Sequence, residues 1–402
     1  MCCLSQNKIV GRPLREEKCL FRSSVVLVMV NREGIEVNPM SPKMTPSILT
    51  FRAGRLGDMI VAMPALRVLR ERFPNHKIVL VTTQSGEVSG RAAGSRYAGA
   101  EGPWLRWICP DLVDEIIVVE NVKSFADCLR AWRKFATLEL DECYILPYYG
   151  ERDLSLFYKK AWLRILGVSC PVKMVGCAAT FNLPNAPFSL QIWAAWRVAV
   201  QNYYARYHCS FPKIPISHLP GNECSLLESI GKHGRYLVAY PSSTHAFKRW
   251  SVEKMAAVCD QIARREQLAI VVVGAGSDRA VSETFSSKLV ARAFNSCGLL
   301  SLNETVQLIS RAVGFLGNDG GLAHVAASLG VKTVTIISGV HPAGVWDPSG
   351  LHSKAVRNGN VECVGCKSEF LCPLGHSACV SEISEASVLD VWKSVDDIRL
   401  VR

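Results

Sequence analysis

The sequence predicts an α/β chain built from two doubly wound parallel sheets in tandem. Three observations point there. The chain has 402 residues, too many for one ordinary core and enough for two. A strand, a glycine loop, a helix and a second strand follow one another with short joints over residues 47–82. The same alternation returns over residues 236–337. Alternating β and α segments of this kind make parallel sheets with right-handed crossovers.

The first block opens with Ser47–Arg52 (SILTFR), an apolar run suited to a buried strand, and Ala53–Gly57 (AGRLG) is a loop. From Asp58 to Phe73, Ile60, Met63, Leu66, Val68, Leu69 and Phe73 recur at largely helical spacing, and Pro74 ends the helix. Lys77–Thr82 (KIVLVT) is the second strand; Glu115–Val119 and Cys143–Leu146 are further strands. Residues 85–103, rich in Gly, Ser and Ala, read as a loop. Residues 184–220 carry many aromatics and several prolines and predict a helix over 190–207, then a linker.

The second block begins with the apolar strand Tyr236–Tyr240. Ser251–Arg265 is an amphipathic helix with Ser251 as its N-cap. Ala269–Val273 is a buried strand ending at Gly274, Thr305–Arg311 is helical, and Gly314–Gly317 is a short strand. Asp319–Leu329 is a helix and Val331–Ile337 a strand. A last helix, about Ala386–Val395, is expected to pack back across the first domain. The division that follows is an extension over 1–46, a first domain over 47–215 and a second over 216–402.

With 49% hydrophobic and 20% charged residues the balance is globular, not disordered. The best apolar runs, Val25–Val30 and Ile270–Val273, fall far short of the roughly 20 residues a membrane-spanning helix needs. Val25–Val30 lies between Arg22 and Arg32 with no small-residue cleavage site after it, so residues 1–46 do not read as a secretory signal. Most of the 16 cysteines stand singly in apolar contexts, which suits a reducing, cytoplasmic setting. A net charge of +11 favours anionic partners or serves only solubility.

Four motifs carry candidate chemistry. In Arg52–Asp58 (RAGRLGD), glycines between strand and helix permit a tight turn and close approach of a ligand. The spacing lacks the third glycine of the dinucleotide fingerprint, and no acid ends the next strand. Asp58 reads most simply as a helix cap. In Pro241–Trp250 (PSSTHAFKRW), the hydroxyls of Ser242, Ser243 and Thr244 can donate to phosphate and Lys248 can neutralise it; a polar turn with a solvated lysine is the alternative. In Gly317–His324 (GNDGGLAH), glycines open a helix whose free N–H groups would face a diphosphate, while Asp319 suits sugar hydroxyls or a neighbouring amide. An Asp cap with a buried His324 is the plainer reading; a glycine pair is unusual there for packing alone. Last, Cys363, Cys366, Cys372 and Cys379 are spaced C-x2-C-x5-C-x6-C; they could hold a structural zinc, form disulfides or stay as thiols.

Together these segments resemble the ADP-heptose–lipopolysaccharide heptosyltransferase family, glycosyltransferase family 9. The similarity is carried by ILTFRAGRLGDMIVAMPALRVLRERFP, YPSSTHAFKRWS, VVVGAGSD, GNDGGLAHVAASLGVKTVTI and Trp346-Asp-Pro348, in order over most of 47–395. The cysteine-rich tail also resembles that of some members. The resemblance implies a GT-B fold of two Rossmann-like, doubly wound domains facing a central cleft. It implies an inverting, metal-independent transfer with no required cofactor. Asp58 would then activate the acceptor hydroxyl, which replaces the cap-only reading, with Arg52, Arg55 and Gly57 on the acceptor side. Ser243, Thr244, Lys248, Asp278, Asp319, Gly320, Gly321 and His324 would bind the donor. The implied partners are a nucleotide sugar, ADP-heptose first, and a phosphorylated glycolipid or glycan acceptor at the membrane surface, with no nucleic acid. His341-Pro342 departs from the family, which often has an acid before that proline, and this touches donor identity. Two other classes compete. A dehydrogenase is disfavoured by the missing fingerprint; a sugar-nucleotide binder without catalysis is disfavoured by the retained Asp58, Lys248 and Asp319.

Overall fold

The computed structural model describes residues 29–31, 34–36, 45–52, 56–83, 111–119, 125–146, 153–174, 230, 234–344, 346–348, 350–366, 368 and 371–395. The chain divides into two units, Met1–Met44 and Thr45–Arg402. Within the first, β1 (Met29–Asn31) pairs antiparallel with β2 (Gly34–Glu36).

The second unit holds two sheets. In its N-terminal half, β3 (Ser47–Phe51), β4 (Lys77–Thr83), β5 (Glu115–Val119), β6 (Leu140–Ile145) and β7 (Val172–Met174) lie in the order β5-β4-β3-β6-β7, all parallel. In the C-terminal half, β8 (Tyr236–Tyr240), β9 (Ala269–Val272), β10 (Ala293–Asn295), β11 (Gly314–Asn318), β12 (Lys332–Ile336) and β13 (Ser353–Val356) lie in the order β10-β9-β8-β11-β12-β13, again all parallel. Both sheets start in the middle, wind outward, and reverse direction beside the starting strand. The reversals fall between β3 and β6 and between β8 and β11, and open α/β sheets bind ligands at the carboxyl ends of such strands.

Every residue of β3 and β8 is buried, because helices cover both faces of each sheet. Helix α1 (Leu56–Arg72) buries Met59, Ile60, Val61, Ala62, Met63, Ala65, Leu66, Val68 and Leu69, so nearly its whole circumference is covered. One side meets its own sheet. Another meets a helix of the C-terminal half, described below. This double burial explains an apolar stripe too broad for an ordinary surface helix.

The expected strands are present, as is the helix after Ser251, now α4 (Val252–Glu266), whose Ser251 side chain accepts from the Lys254 N–H at 3.2 Å. Sequence reading passed over α2 (Phe125–Ala136), α3 (Asp153–Ile165), β7, α5 (Arg279–Lys288), β10 and β13. It also began α6 too late. This helix spans Leu302–Arg311, because Ser301 and Glu304 form a reciprocal cap: the Glu304 N–H donates to Ser301 Oγ at 3.3 Å and the Ser301 N–H to Glu304 Oε2 at 2.6 Å. The predicted loop over 85–103, the helix over 190–207 and the linker to 220 lie outside the described residues.

Two expectations need correction. The helix of the third motif, α7 (Gly321–Ser328), starts two residues after Asp319, with Gly320 in the cap position. The last helix, α9 (Glu385–Ser394), which follows the single turn α8 (Ala378–Ser381), does not cross to the first domain. It packs on α4, β12 and β13 of the C-terminal half. Trp392 anchors it: its ring lies under the Lys332 ammonium at 4.5 Å, and its indole N–H donates to Glu266 Oε1 at 2.7 Å.

Candidate active site

On the N-terminal side, Asp58 is the third residue of α1, since the helix begins at Leu56. It therefore lies in the first turn, where the helix dipole favours a carboxylate, and not in the cap position. Arg52, one residue past β3, is fully buried, with 0% side-chain exposure against 18% for Asp58. Its backbone N–H donates to the Val81 carbonyl at 2.9 Å and its Nη1 donates to the Leu146 carbonyl at 3.3 Å. Its Nη2 lies 3.6 Å from Asp58 Oδ1. A guanidinium with no exposed surface offers nothing to an acceptor, so Arg52 is removed from the acceptor-side contacts. Arg55 lies outside the described residues.

Gly57 marks where the halves meet. A Cβ there would fall 3.1 Å from His324 Cδ2 and 3.5 Å from the Gly321 Cα. A Cβ on Gly321 would fall 3.0 Å from the Leu56 Cβ. The N-terminal ends of α1 and α7 thus touch, and each helix follows a strand that flanks its sheet's reversal point.

On the C-terminal side, the loop after β8 is clasped to the end of β11. Buried Asn318 accepts from the Trp250 N–H at 3.0 Å and donates Nδ2 to the Pro241 carbonyl at 2.7 Å. Ser243 Oγ donates to the Asp319 carbonyl at 3.1 Å, and Arg249 donates Nε and Nη2 to the Ser243 carbonyl at 3.2 and 3.1 Å. Ser242 Oγ donates to Asp278 Oδ1 at 2.7 Å, and the Ala275 N–H donates to Asp278 Oδ2 at 2.9 Å. The hydroxyl protons of Ser242 and Ser243 are therefore spent inside the protein and do not face a phosphate. Asp278 ties the loop after β9 to the loop after β8. Thr244 is exposed, and Lys248 is half-buried on the 3-10 turn Ala246–Lys248.

Desolvation pushes the Asp319 carboxyl above its ordinary value; Lys248 pulls it back, Asp347 adds to the rise and Arg357 opposes it. Asp347 and Arg357 form an ion pair beside this group, and Arg357 stands at the carboxyl end of β13. Sequence reading had singled out neither this pair nor Asn318. A polar side chain inside the buried strand Gly314–Asn318 was the signal for the latter. His324 is buried, and burial pushes its imidazole down to about 4, which leaves it neutral near pH 7. Its ring lies edge-on to Trp346 at 6.4 Å.

Close packing by itself accounts for the glycines of the third motif. A Cβ on Gly317 would stand 2.8 Å from the Tyr240 Cβ, and one on Gly320 would stand 2.9 Å from the Tyr240 ring. Gly321 is closed off by Leu56 as described.

The four C-terminal cysteines are free thiols, with Cys379 buried under Gly339 and Cys366 exposed. Backbone N–H groups, Ser377 foremost, hold the Cys372 thiol below its ordinary value, while burial and then the neighbouring Cys363, Cys372 and Cys366 push Cys379 up. Among the described residues no three His, Cys, Asp or Glu side chains are grouped to hold a metal ion. No helix among the described residues is long and apolar enough to cross a membrane.

Two parallel Rossmann-type sheets whose reversal-point helices meet end to end define the GT-B architecture of glycosyltransferases. Solved structures with the same fold include the glycosyl transferase family 9 protein from Veillonella parvula, at 18% identity and a TM-score of 0.63, covering 87% of this chain and 96% of that one. E. coli ADP-heptose lps heptosyltransferase II aligns at 16% identity and a TM-score of 0.59, covering 89% of this chain and all (100%) of its own. E. coli heptosyltransferase WaaC with ADP aligns at 14% identity and a TM-score of 0.56, covering 87% and 100%. No curated protein matches the chain. Residues 185–375 match the model of glycosyltransferase family 9 (heptosyltransferase).

Proposed function

We propose that this protein is an inverting, metal-independent transferase that moves heptose from ADP-heptose to a lipopolysaccharide core or related phosphorylated glycan. The observation that carries the reading is the contact of the two helix starts at Gly57, Gly321 and His324. It brings the Asp58 turn beside the Asp319–Gly321 turn, which supports a base from one half and an anion site from the other acting on one reacting centre. E. coli WaaC, which shares the fold, is solved with ADP and with ADP-2-deoxy-2-fluoro heptose.

Asp58 takes the proton of the acceptor hydroxyl as that oxygen attacks the anomeric carbon. The bond from that carbon to the diphosphate oxygen breaks on the opposite face, and its electron pair leaves on ADP. Lys248, Thr244 and the N–H groups at the start of α7 stabilise the charge that develops there. Asp319 binds sugar hydroxyls. Ser243, Asp278 and Asn318 hold the donor loops in place. The positive charge of Lys248 and the α7 dipole stand in for a divalent cation, so turnover persists in excess chelator. The net charge of +11 suits a phosphorylated lipid acceptor on the cytoplasmic face of an anionic membrane.

The test is a panel of ADP-, UDP- and GDP-sugars with and without a phosphorylated inner-core acceptor, read by mass spectrometry. Acceptor-dependent heptose transfer from ADP-heptose is expected. Transfer from another donor corrects the sugar, and donor binding with no transfer to any acceptor overturns the catalytic reading.

A further inference from the structure

We infer that Arg52 is a positioning residue: its buried guanidinium orients the Asp58 carboxylate and keeps it anionic, without touching acceptor or donor. This rests on the reading of Asp58 as the acceptor base.

The geometry is specific. Arg52 leaves β3 at the point where its sheet reverses, and its peptide is pinned to β4 through the Val81 carbonyl at 2.9 Å. The Leu146 peptide, just past β6, then binds it from the other side. The Leu146 N–H donates to the Phe51 carbonyl at 3.0 Å, and the Leu146 carbonyl accepts from Arg52 Nη1 at 3.3 Å. The side chain is thus clamped between the carboxyl ends of β3 and β6. From there it presents Nη2 to Asp58 Oδ1 at 3.6 Å.

Burial argues for a role in charge. Taking a guanidinium wholly out of water is unfavourable unless a counter-charge and hydrogen bonds compensate it, and a strand end that needed only filling would be served by an apolar side chain. Asp58 supplies the counter-charge. The distance matters as much as the pairing. At 3.6 Å the contact lies beyond hydrogen-bond length, so Arg52 acts on the carboxylate through its charge and not through a direct hydrogen bond. A planar guanidinium can hold Leu146 with one nitrogen and face Asp58 with another, which a lysine does less well.

The experiment compares Arg52→Gln, Arg52→Lys, Asp58→Asn and the Arg52→Gln/Asp58→Asn pair, with ADP-heptose as donor and a phosphorylated inner-core acceptor. Thermal melting and ADP affinity report that the fold and donor half are intact. Arg52→Gln is expected to lower kcat by tenfold or more with acceptor KM within about twofold, on the scale of losing a charge-assisted contact. Arg52→Lys is expected to recover most of that loss. In the Asp58→Asn background, Arg52→Gln is expected to add nothing. An unchanged kcat, a rise confined to acceptor KM, or a full further loss in the double variant would overturn the inference. If Arg52→Gln does not fold, Arg52→Lys carries the test alone: turnover no better than that of Asp58→Asn overturns it. Near-normal turnover in Asp58→Asn itself would instead overturn the base reading, whatever Arg52 does.

Discussion

The two sheets begin with strands that occupy the same central place, β3 and β8, yet deliver different chemistry. After β3 the chain yields a buried cation and a first-turn carboxylate, Arg52 and Asp58, 3.6 Å apart. After β8 it yields a loop with Thr244 and Lys248, held in place by Asn318 from the neighbouring β11. The first arrangement is local, made within seven residues of chain. The second is assembled from three strand ends and fails if any one shifts. Strand order decides where ligands can gather; the loops decide what the two halves do there.

If that contrast holds, damage to one half should spare the other's task. The largest separation is expected for Asp58→Asn, which should lower turnover on the order of a hundredfold or more while ADP affinity is kept. Steady-state kinetics paired with calorimetry decides it, and near-normal turnover would break the comparison on its N-terminal side.

The converse variant, Lys248→Ala, should weaken ADP binding by roughly 1.5–3 kcal/mol, the scale of a hydrogen bond to a charged group. Calorimetry giving wild-type ADP affinity would remove Lys248 from the donor site.

A third experiment asks whether the glycines of the C-terminal half serve packing. Gly317→Ala places a Cβ 2.8 Å from the Tyr240 Cβ and 2.9 Å from the Phe315 ring, so urea unfolding should show a loss of about 1–3 kcal/mol. Gly359→Ala, where no atom lies within 4 Å, should be close to neutral. Equal effects at the two positions would return the glycine argument to ligand approach.

The smallest effect concerns the seam itself. His324 titrates near 6.5 when unfolded and is held to about 4 by burial, so between these values the unfolded chain binds the extra proton. Its contribution is intact above pH 6.5 and is lost as pH falls toward 4, with about 1 kcal/mol gone between pH 6.5 and 5.5. The stability of His324→Asn should fall less steeply over that interval. Parallel curves for the two proteins would mean that the ring is more hydrated than its burial implies.

Much of the site was visible in the chain because it is local. A glycine loop between β3 and α1 announces itself by composition, and so does the Lys248 turn before α4. What escaped was of two kinds. The helices α2, α3 and α5 were passed over; in α3 outward-facing apolar residues, such as Phe157 at 63% and Ile165 at 78% exposure, blur the amphipathic pattern. The hydroxyl contacts of Ser242 with Asp278 and of Ser243 with the Asp319 carbonyl join residues 36 or more positions apart, and a hydroxyl in a turn looks the same whether it faces a phosphate or a carboxylate.

By itself, then, the sequence determined two alternating α/β blocks, the glycine turns at their leading strands and the identity of the charged groups beside them. Those features depend on backbone freedom and on side-chain periodicity within a few residues. Only the tertiary structure decided that α9 stays on the C-terminal sheet, that Gly320 and not Asp319 caps α7, and that Tyr240 and Leu56 explain the glycines. It alone placed the guanidinium of Arg52 behind Asp58. Each of these depends on which distant atoms fill the space around a group, and close packing, not local propensity, settles that.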